Sequence, residues 1–258
     1  MMKSFNALSL IPIWIASVSG GKDSLMMLKI ILENLDKFPL HGVVHFELEI
    51  DMPFIKDVID YMETECKKYN IPFYRVKPTV TWEELYNKYH FPSRVARWCN
   101  DKYKLSAKKE FVKYCKNLGY NVNFYIGYCL NEEKRYVNRP FNERYPLVEE
   151  GIYEDYILEW AKNVPLFKDY YKYNRRCGCY LCPMISNINL AWLLKYYPDK
   201  YSYFLNKVDD SEKYFTKKLG KEYYFRSNYK IDYLDYLIRK KYLPLIESGS
   251  KSSQISFL

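Results

Sequence analysis

An apolar run, two adjacent glycines and a helix-periodic segment follow one another without a gap near the start of the chain. Ile13 to Val18 has the density of apolar residues expected of a buried strand, and Ser19-Gly20-Gly21-Lys22-Asp23-Ser24 breaks it. Leu25, Leu28, Ile31, Leu32 and Leu35 then recur at helical spacing to about Asp36. A strand that turns through glycines into a helix N-terminus brings backbone N–H groups close to an oxyanion, and the helix dipole adds partial positive charge. The spacing is neither G-x-x-x-x-G-K-[ST] nor G-x-G-x-x-G. An export signal would use Lys3 and the apolar stretch 7–15, but Pro12 and Trp14 interrupt it and leave the glycines without a purpose.

The same strand–helix alternation continues. Gly42 to about Glu49 reads as a second strand, and Asp51 and Pro53 start a helix carrying Ile55, Val58, Ile59 and Met62. Pro72 to Val76 is a third strand, Thr81 and Glu84 form a capping box for a helix over 82–89, and Lys104 to Leu118 is a helix closed by Gly119. Val122 to Ile126 is a fourth strand ending at Gly127. This order predicts an α/β fold with a doubly wound, mostly parallel sheet and ligand at the carboxyl ends of its strands. Ser19, Gly20, Gly21, Lys22, Asp23, Ser24, Phe46 and Gly127 then surround one pocket as nucleotide-binding candidates. Beyond about residue 145 only helices and loops are expected, which divides the chain into an α/β domain, 1–145, and a helical, cysteine-bearing lobe, 146–258. The residues before the first strand are expected to be a loosely held arm, and Glu247 to Gln254 a mobile tail.

A chain of 258 residues with 48% hydrophobic content is long enough for both parts. No apolar run approaches a membrane span, so no membrane partner is expected. The formal charge of +9 is compatible with nucleic acid as a partner and equally with a nucleotide enzyme. Seven cysteines make an odd number without an export signal, which points to a reducing, cytoplasmic location rather than a disulfide framework. Cys66 and Cys115 sit on helix faces as small buried hydrophobes. Cys177, Cys179 and Cys182 crowd into six residues, and Cys99 follows Trp98 roughly 75 residues earlier. Four converging thiolates suit a 4Fe–4S cluster or, alternatively, a tetrahedral Zn2+; a metal-free catalytic thiol is the other outcome. Arg97, Lys102, Arg175 and Arg176 would offset the negative charge.

Ser19 to Ser24 resembles the SGGxDS loop of the PP-loop ATP pyrophosphatase (adenine nucleotide alpha hydrolase) superfamily. Taken in order with Trp98-Cys99-x-Asp101-x-x-Lys104 and Arg176-x-Gly178-Cys179-x-x-Cys182-Pro183, it resembles the phosphoadenosine-phosphosulfate reductase-like family. The similarity extends over roughly residues 13–208. It is nearest to phage and bacterial members and to the PP-loop protein of DNA phosphorothioation, and Arg144 to Glu149 with the acidic segment after it is similar to the phage type. The resemblance implies that the loop holds the diphosphate of ATP, or the sulfate end of an adenylyl-sulfate. It also implies Mg2+ at the leaving diphosphate, Cys99, Cys179 and Cys182 as cluster cysteines, and Lys104 as a basic group facing the nucleotide. Asp23, Lys104 and Cys99 are the catalytic candidates, Asp23 orienting the loop or a metal.

There are departures. No cysteine follows Cys182, whereas a sulfonucleotide reductase attacks with one near its C-terminus. The G-x-R-x-x-E segment reads Gly127-Tyr128-Cys129-Leu130-Asn131-Glu132, with Arg135 and Arg139 as the nearby basic groups. The expected activity is therefore nucleotide activation by adenylation coupled to sulfur transfer, with a nucleic acid as an acceptor and a thiol or sulfur-donor protein as a partner. The alternatives are a phosphoadenylyl-sulfate reductase that borrows a partner's thiol, and a nucleotide-sensing regulator that binds DNA or protein.

Overall fold

The computed structural model describes residues 10–138, 140–226 and 229–249. The chain forms β1 (Ile11–Val18), α1 (Lys22–Glu33), β2 (Gly42–Phe46), α2 (Ile55–Lys68), β3 (Phe73–Val76), α3 (Trp82–Tyr89), α4 (Leu105–Asn117), β4 (Tyr120–Tyr125) and β5 (Glu143–Arg144). Helices follow to the end of the described chain: α5 (Pro146–Glu149), α6 (Glu154–Ala161), α7 (Tyr170–Tyr173), α8 (Asn187–Tyr196), α9 (Pro198–Leu219), α10 (Ile231–Leu237) and α11 (Leu243–Glu247). A π-helical turn, Cys99–Lys104, leads into α4. Most of the expected arm, 1–9, and most of the expected tail lie outside the described residues, and Ile11 and Pro12 belong to β1 rather than to an arm.

All five strands are parallel and lie in the order β3-β2-β1-β4-β5. The chain winds from β1 through β2 to β3 in one direction and returns from β3 to β4 on the far side of β1; with the usual right-handed crossovers this reversal puts helices on opposite faces, the doubly wound arrangement. The order reverses between β1 and β4, so the crevice at that switch point opens at the ends of Val18 and Tyr125. The sheet is held by Ile15, Val44, Val122 and Phe124 packed with Phe111 and Cys115 of α4. Met27 and Ile31 of α1 are completely buried.

The chain forms two compact units that interleave in sequence. One comprises Met1–Glu47, Lys56–Thr79 and Lys104–Glu159; the other comprises Leu48–Ile55, Val80–Tyr103 and Trp160–Leu258. The first contains the whole sheet. The second has an aromatic core in which Phe54 meets Tyr170 at 5.0 Å and Trp192 at 5.7 Å, and Trp82 meets Trp98 at 4.7 Å between ring centroids.

Several element bounds differ from the expected ones; β1 and β4, for example, each begin two residues earlier, at Ile11 and Tyr120. The second strand stops at Phe46 rather than continuing to Glu49. The Leu48 N–H donates to the Asp51 carboxylate at 3.2 Å and the Asp51 N–H to the Leu48 carbonyl at 3.1 Å, a side-chain-closed turn that competes with the strand. β5 is an additional strand; two charged residues carry no apolar alternation that could announce it. The predicted capping box is present: the Glu84 N–H donates to Thr81 Oγ1 at 3.2 Å and the Thr81 N–H to Glu84 Oε2 at 2.7 Å. No helix among the described residues is long and apolar enough to cross a membrane.

Candidate functional site

β1 ends at Val18, and Gly20 turns the chain with φ +73°, a left-handed conformation that a side chain would oppose by about 1–2 kcal/mol. Gly21 is the N-cap of α1 and supplies no side-chain cap, so the first-turn N–H groups are not closed off by their own N-cap residue. Two serines brace the turn from within. The Ser24 hydroxyl donates to the Gly21 carbonyl at 3.0 Å and accepts the Ser19 N–H at 3.2 Å, and the two hydroxyls lie 3.3 Å apart. The serines at both ends of the motif thus hold the loop's shape, which explains in physical terms why the pattern has a serine at each end.

Gly127 lies just beyond β4 and against the first turn of α1. A Cβ there would come within 3.1 Å of the Asp23 carbonyl oxygen and 3.3 Å of the Ser24 nitrogen. Gly127 is a spacer that lets the β4 end approach the loop. On the other side, His45 is buried in β2 with Nδ1 3.0 Å from the Val18 carbonyl, and burial holds its pKa below the usual imidazole value. The adjacent Phe46 packs its ring edge-on against Phe111 at 6.1 Å, on the core of the sheet.

Of the loop's two charged residues Lys22 turns inward, while the Asp23 side chain stays partly exposed. Lys22 has a side-chain exposure of 1%, with Nζ 2.6 Å from Asp23 Oδ1 and 3.4 Å from Glu154 Oε1. The Cys129 thiol points to the same Asp23 oxygen at 3.5 Å. Burial raises the Asp23 pKa, opposed by Lys22 and by the Cys129 hydrogen bond. Burial, then the Asp23 charge, pushes the Cys129 thiol well above the usual thiol range, so Cys129 is a poor nucleophile. Arg135 pairs with Glu132 at 2.6 Å and lies over the Tyr128 ring at 4.3 Å, while Arg139 is outside the described residues. Glu154 was not singled out from the sequence; its only signal there was the acidic segment after Glu149.

Lys104 is half-buried at the junction of the π-helical turn and α4. Cys99 opens that turn and is buried. In the second unit, Cys179 is buried and paired through its backbone with Asp51, and the Tyr180 N–H donates to the Ile50 carbonyl at 2.9 Å. Cys177 and Cys182 are half-buried. The Cys182 N–H donates to the Cys179 carbonyl at 3.2 Å, closing the Cys-x-x-Cys turn, and its sulfur accepts the Met184 N–H at 3.4 Å. The fully buried Tyr170 hydroxyl donates to the Arg176 carbonyl at 3.0 Å. Burial, then Cys177, Tyr171 and Cys182, hold that phenol well above its usual range. Among the described residues no three His, Cys, Asp or Glu side chains are grouped so as to hold a metal ion. Cys99, Cys177, Cys179 and Cys182 are accordingly in no such group among the described residues. No two cysteines are joined in a disulfide.

Residues 13–127 match the model of the phosphoadenosine phosphosulfate reductase domain. Two uncharacterized proteins of Methanocaldococcus jannaschii are 26% and 27% identical over 201 and 191 residues, 72% and 68% of this chain. Those alignments take in 45% and 37% of the relatives, so the chain spans less than half the length of the curated relatives it matches. Among solved structures, a phosphoadenylyl-sulfate reductase from Candida auris in complex with phosphate superposes with TM-score 0.39 at 18% identity, over 67% of this chain and 84% of the other. The U34-tRNA thiolase NcsA from Methanococcus maripaludis, with its 4Fe–4S cluster, gives TM-score 0.41 at 17% identity, over 97% and 77%. The stretch that matches the phosphoadenosine phosphosulfate reductase domain, residues 13–127, is the one that holds the glycine loop and Gly127.

Proposed function

We propose that the chain binds ATP or an adenylyl-sulfate nucleotide with the diphosphate or sulfate end on Ser19–Ser24, and uses it for adenylation coupled to sulfur transfer. The observation that carries this reading is the uncapped start of α1 after a left-handed Gly20, at the switch point of a parallel sheet. The family match over 13–127 supports a nucleotide as the anion's source. ATP enters as its Mg2+ complex, the backbone N–H groups stabilise charge on the departing diphosphate, and an acceptor oxygen attacks the α-phosphorus. A nucleic acid as acceptor accords with the charge of +9.

ATP-dependent exchange of labelled diphosphate, with RNA and DNA fractions supplied as acceptors, tests the reading. Exchange that disappears in Asp23→Ala supports it; none with any fraction, from folded protein, rejects it. The family match also favours a second reading, reduction of phosphoadenylyl-sulfate with a partner protein's thiol. Cys66, Cys115 and Cys129 are all buried with raised thiol pKa values, which makes them unsuited to attack on sulfur. Sulfite release in the presence of thioredoxin identifies this activity, and its absence from folded protein excludes it.

A further inference from the structure

A lysine on the first residue of a helix beside an anion site has an evident partner in the anion. Lys22 instead runs inward, almost fully buried, to the carboxylates of Asp23 and Glu154. The Glu154 side chain is only 9% exposed, and its backbone is fixed by donation of its N–H to Asn131 Oδ1 at 3.0 Å. The Leu130 N–H donates to the Ile152 carbonyl at 2.8 Å, tying the same two segments together. From the 129–132 turn the Cys129 thiol reaches Asp23 at 3.5 Å, while its N–H donates to Glu132 Oε2 at 3.2 Å. One ammonium therefore sits between two carboxylates; the Asp23 carboxylate meets that turn through the Cys129 thiol, and Glu154 is tied to it by its backbone N–H. Removing one member of such a buried group leaves the others uncompensated, which is the costly change.

We propose that Lys22 is an internal counter-ion and not a phosphate ligand: held by Glu154, it fixes the Asp23 carboxylate beside the loop and leaves the anion to backbone N–H groups. Lys22 and Glu154 are thus positioning residues that act through Asp23. That the anion belongs to a nucleotide rests on the reading above; the pairing of Lys22 with Glu154 does not.

The test compares full-length wild type, Lys22→Met, Glu154→Gln and the double variant by melting temperature, ATP affinity and ATP–diphosphate exchange. Lys22→Met alone leaves two carboxylates without their cation and is the variant most prone to misfold, so the double variant carries the binding measurement. Its ATP Kd is expected within about threefold of wild type, because no charge-assisted bond to phosphate is lost. Its exchange turnover is expected to fall about tenfold or more through the loosened Asp23. The two single variants each lower the melting temperature, and the double variant lowers it by less than their sum. A Kd raised about 10–100-fold in the double variant, the loss expected for a direct phosphate contact, overturns the proposal. So do melting shifts that simply add. Wild type that binds no ATP removes the nucleotide reading, and the melting cycle then still decides whether Lys22 is held by Glu154.

Discussion

Gly127→Ala is the most direct probe of how the strand end and the loop are joined. The added methyl carbon would lie 3.1 Å from the Asp23 carbonyl oxygen, 3.2 Å from its carbon and 3.3 Å from the Ser24 nitrogen, where ordinary contact begins at 3.4 Å. All three neighbours are main-chain atoms, so no rotamer change relieves the overlap; the first turn of α1 must move by a few tenths of an ångström. Overpacking of this kind costs about 1–3 kcal/mol. At about 2–4 °C per kcal/mol for a chain of this size, the melting temperature should fall by roughly 2–12 °C. The displaced turn carries Asp23 and Ser24, so on the proposed nucleotide reading ATP affinity should fall as well, by about tenfold. Differential scanning fluorimetry and calorimetric titration with ATP measure the two effects. Gly178→Ala is the control, since nothing lies within 4 Å of its added carbon, and it should stay within about 0.5 kcal/mol of wild type. A Gly127→Ala protein that melts and binds like wild type would falsify the close approach and the role given to Gly127.

Three further outcomes are expected. Because burial lowers the His45 pKa, the folded state takes up that proton less readily than the unfolded chain; stability is therefore lost as pH falls below the ordinary value of 6.5, by up to about 1.4 kcal/mol per pH unit. Urea midpoints of wild type and His45→Asn at pH 7.5 and 5.5 should converge at the lower pH, and parallel curves would contradict this. Thr81→Ala removes the reciprocal cap of α3 and should cost about 1 kcal/mol in chemical denaturation; a change below about 0.3 kcal/mol would mean that the box is not maintained in solution. Iodoacetamide followed by peptide mass spectrometry should modify Cys177 and Cys182 first in native protein. Cys66, whose burial pushes its thiol up to about 12, and Cys115 and Cys129 should react only on unfolding.

The α/β class was legible because each long element announces itself locally. The β1–loop–α1 unit, the Thr81–Glu84 box and the helix stop at Gly119 depend on residues within a few positions of one another, and period and turn chemistry are local properties. β5 was not legible. Glu143 and Arg144 are strand residues only because β4 offers them a free edge, and Arg144 is held by paired hydrogen bonds to Glu149 at 3.1 and 2.6 Å. The overextended second strand failed for a related reason: the alternation Phe46-Glu47-Leu48-Glu49 is genuine, but the Asp51 side chain closes a turn across it.

The sequence by itself determined that the glycine loop would sit between a strand and a helix, the setting in which backbone N–H groups can meet an oxyanion. Two glycines and two serines in that setting have few other uses, and backbone chemistry acts over short chain distances. The tertiary structure decided which charges surround that site. Lys22 pairs with Glu154 across 132 residues, and Cys129 reaches Asp23 across 106. Electrostatic partners are chosen by distance in space and by burial, neither of which a linear spacing encodes. The same reason separates the cysteines from the loop in legibility. Cys-x-x-Cys is a visible spacing, but whether four thiolates meet depends on the packing of distant segments, and here the described residues do not group them around a metal.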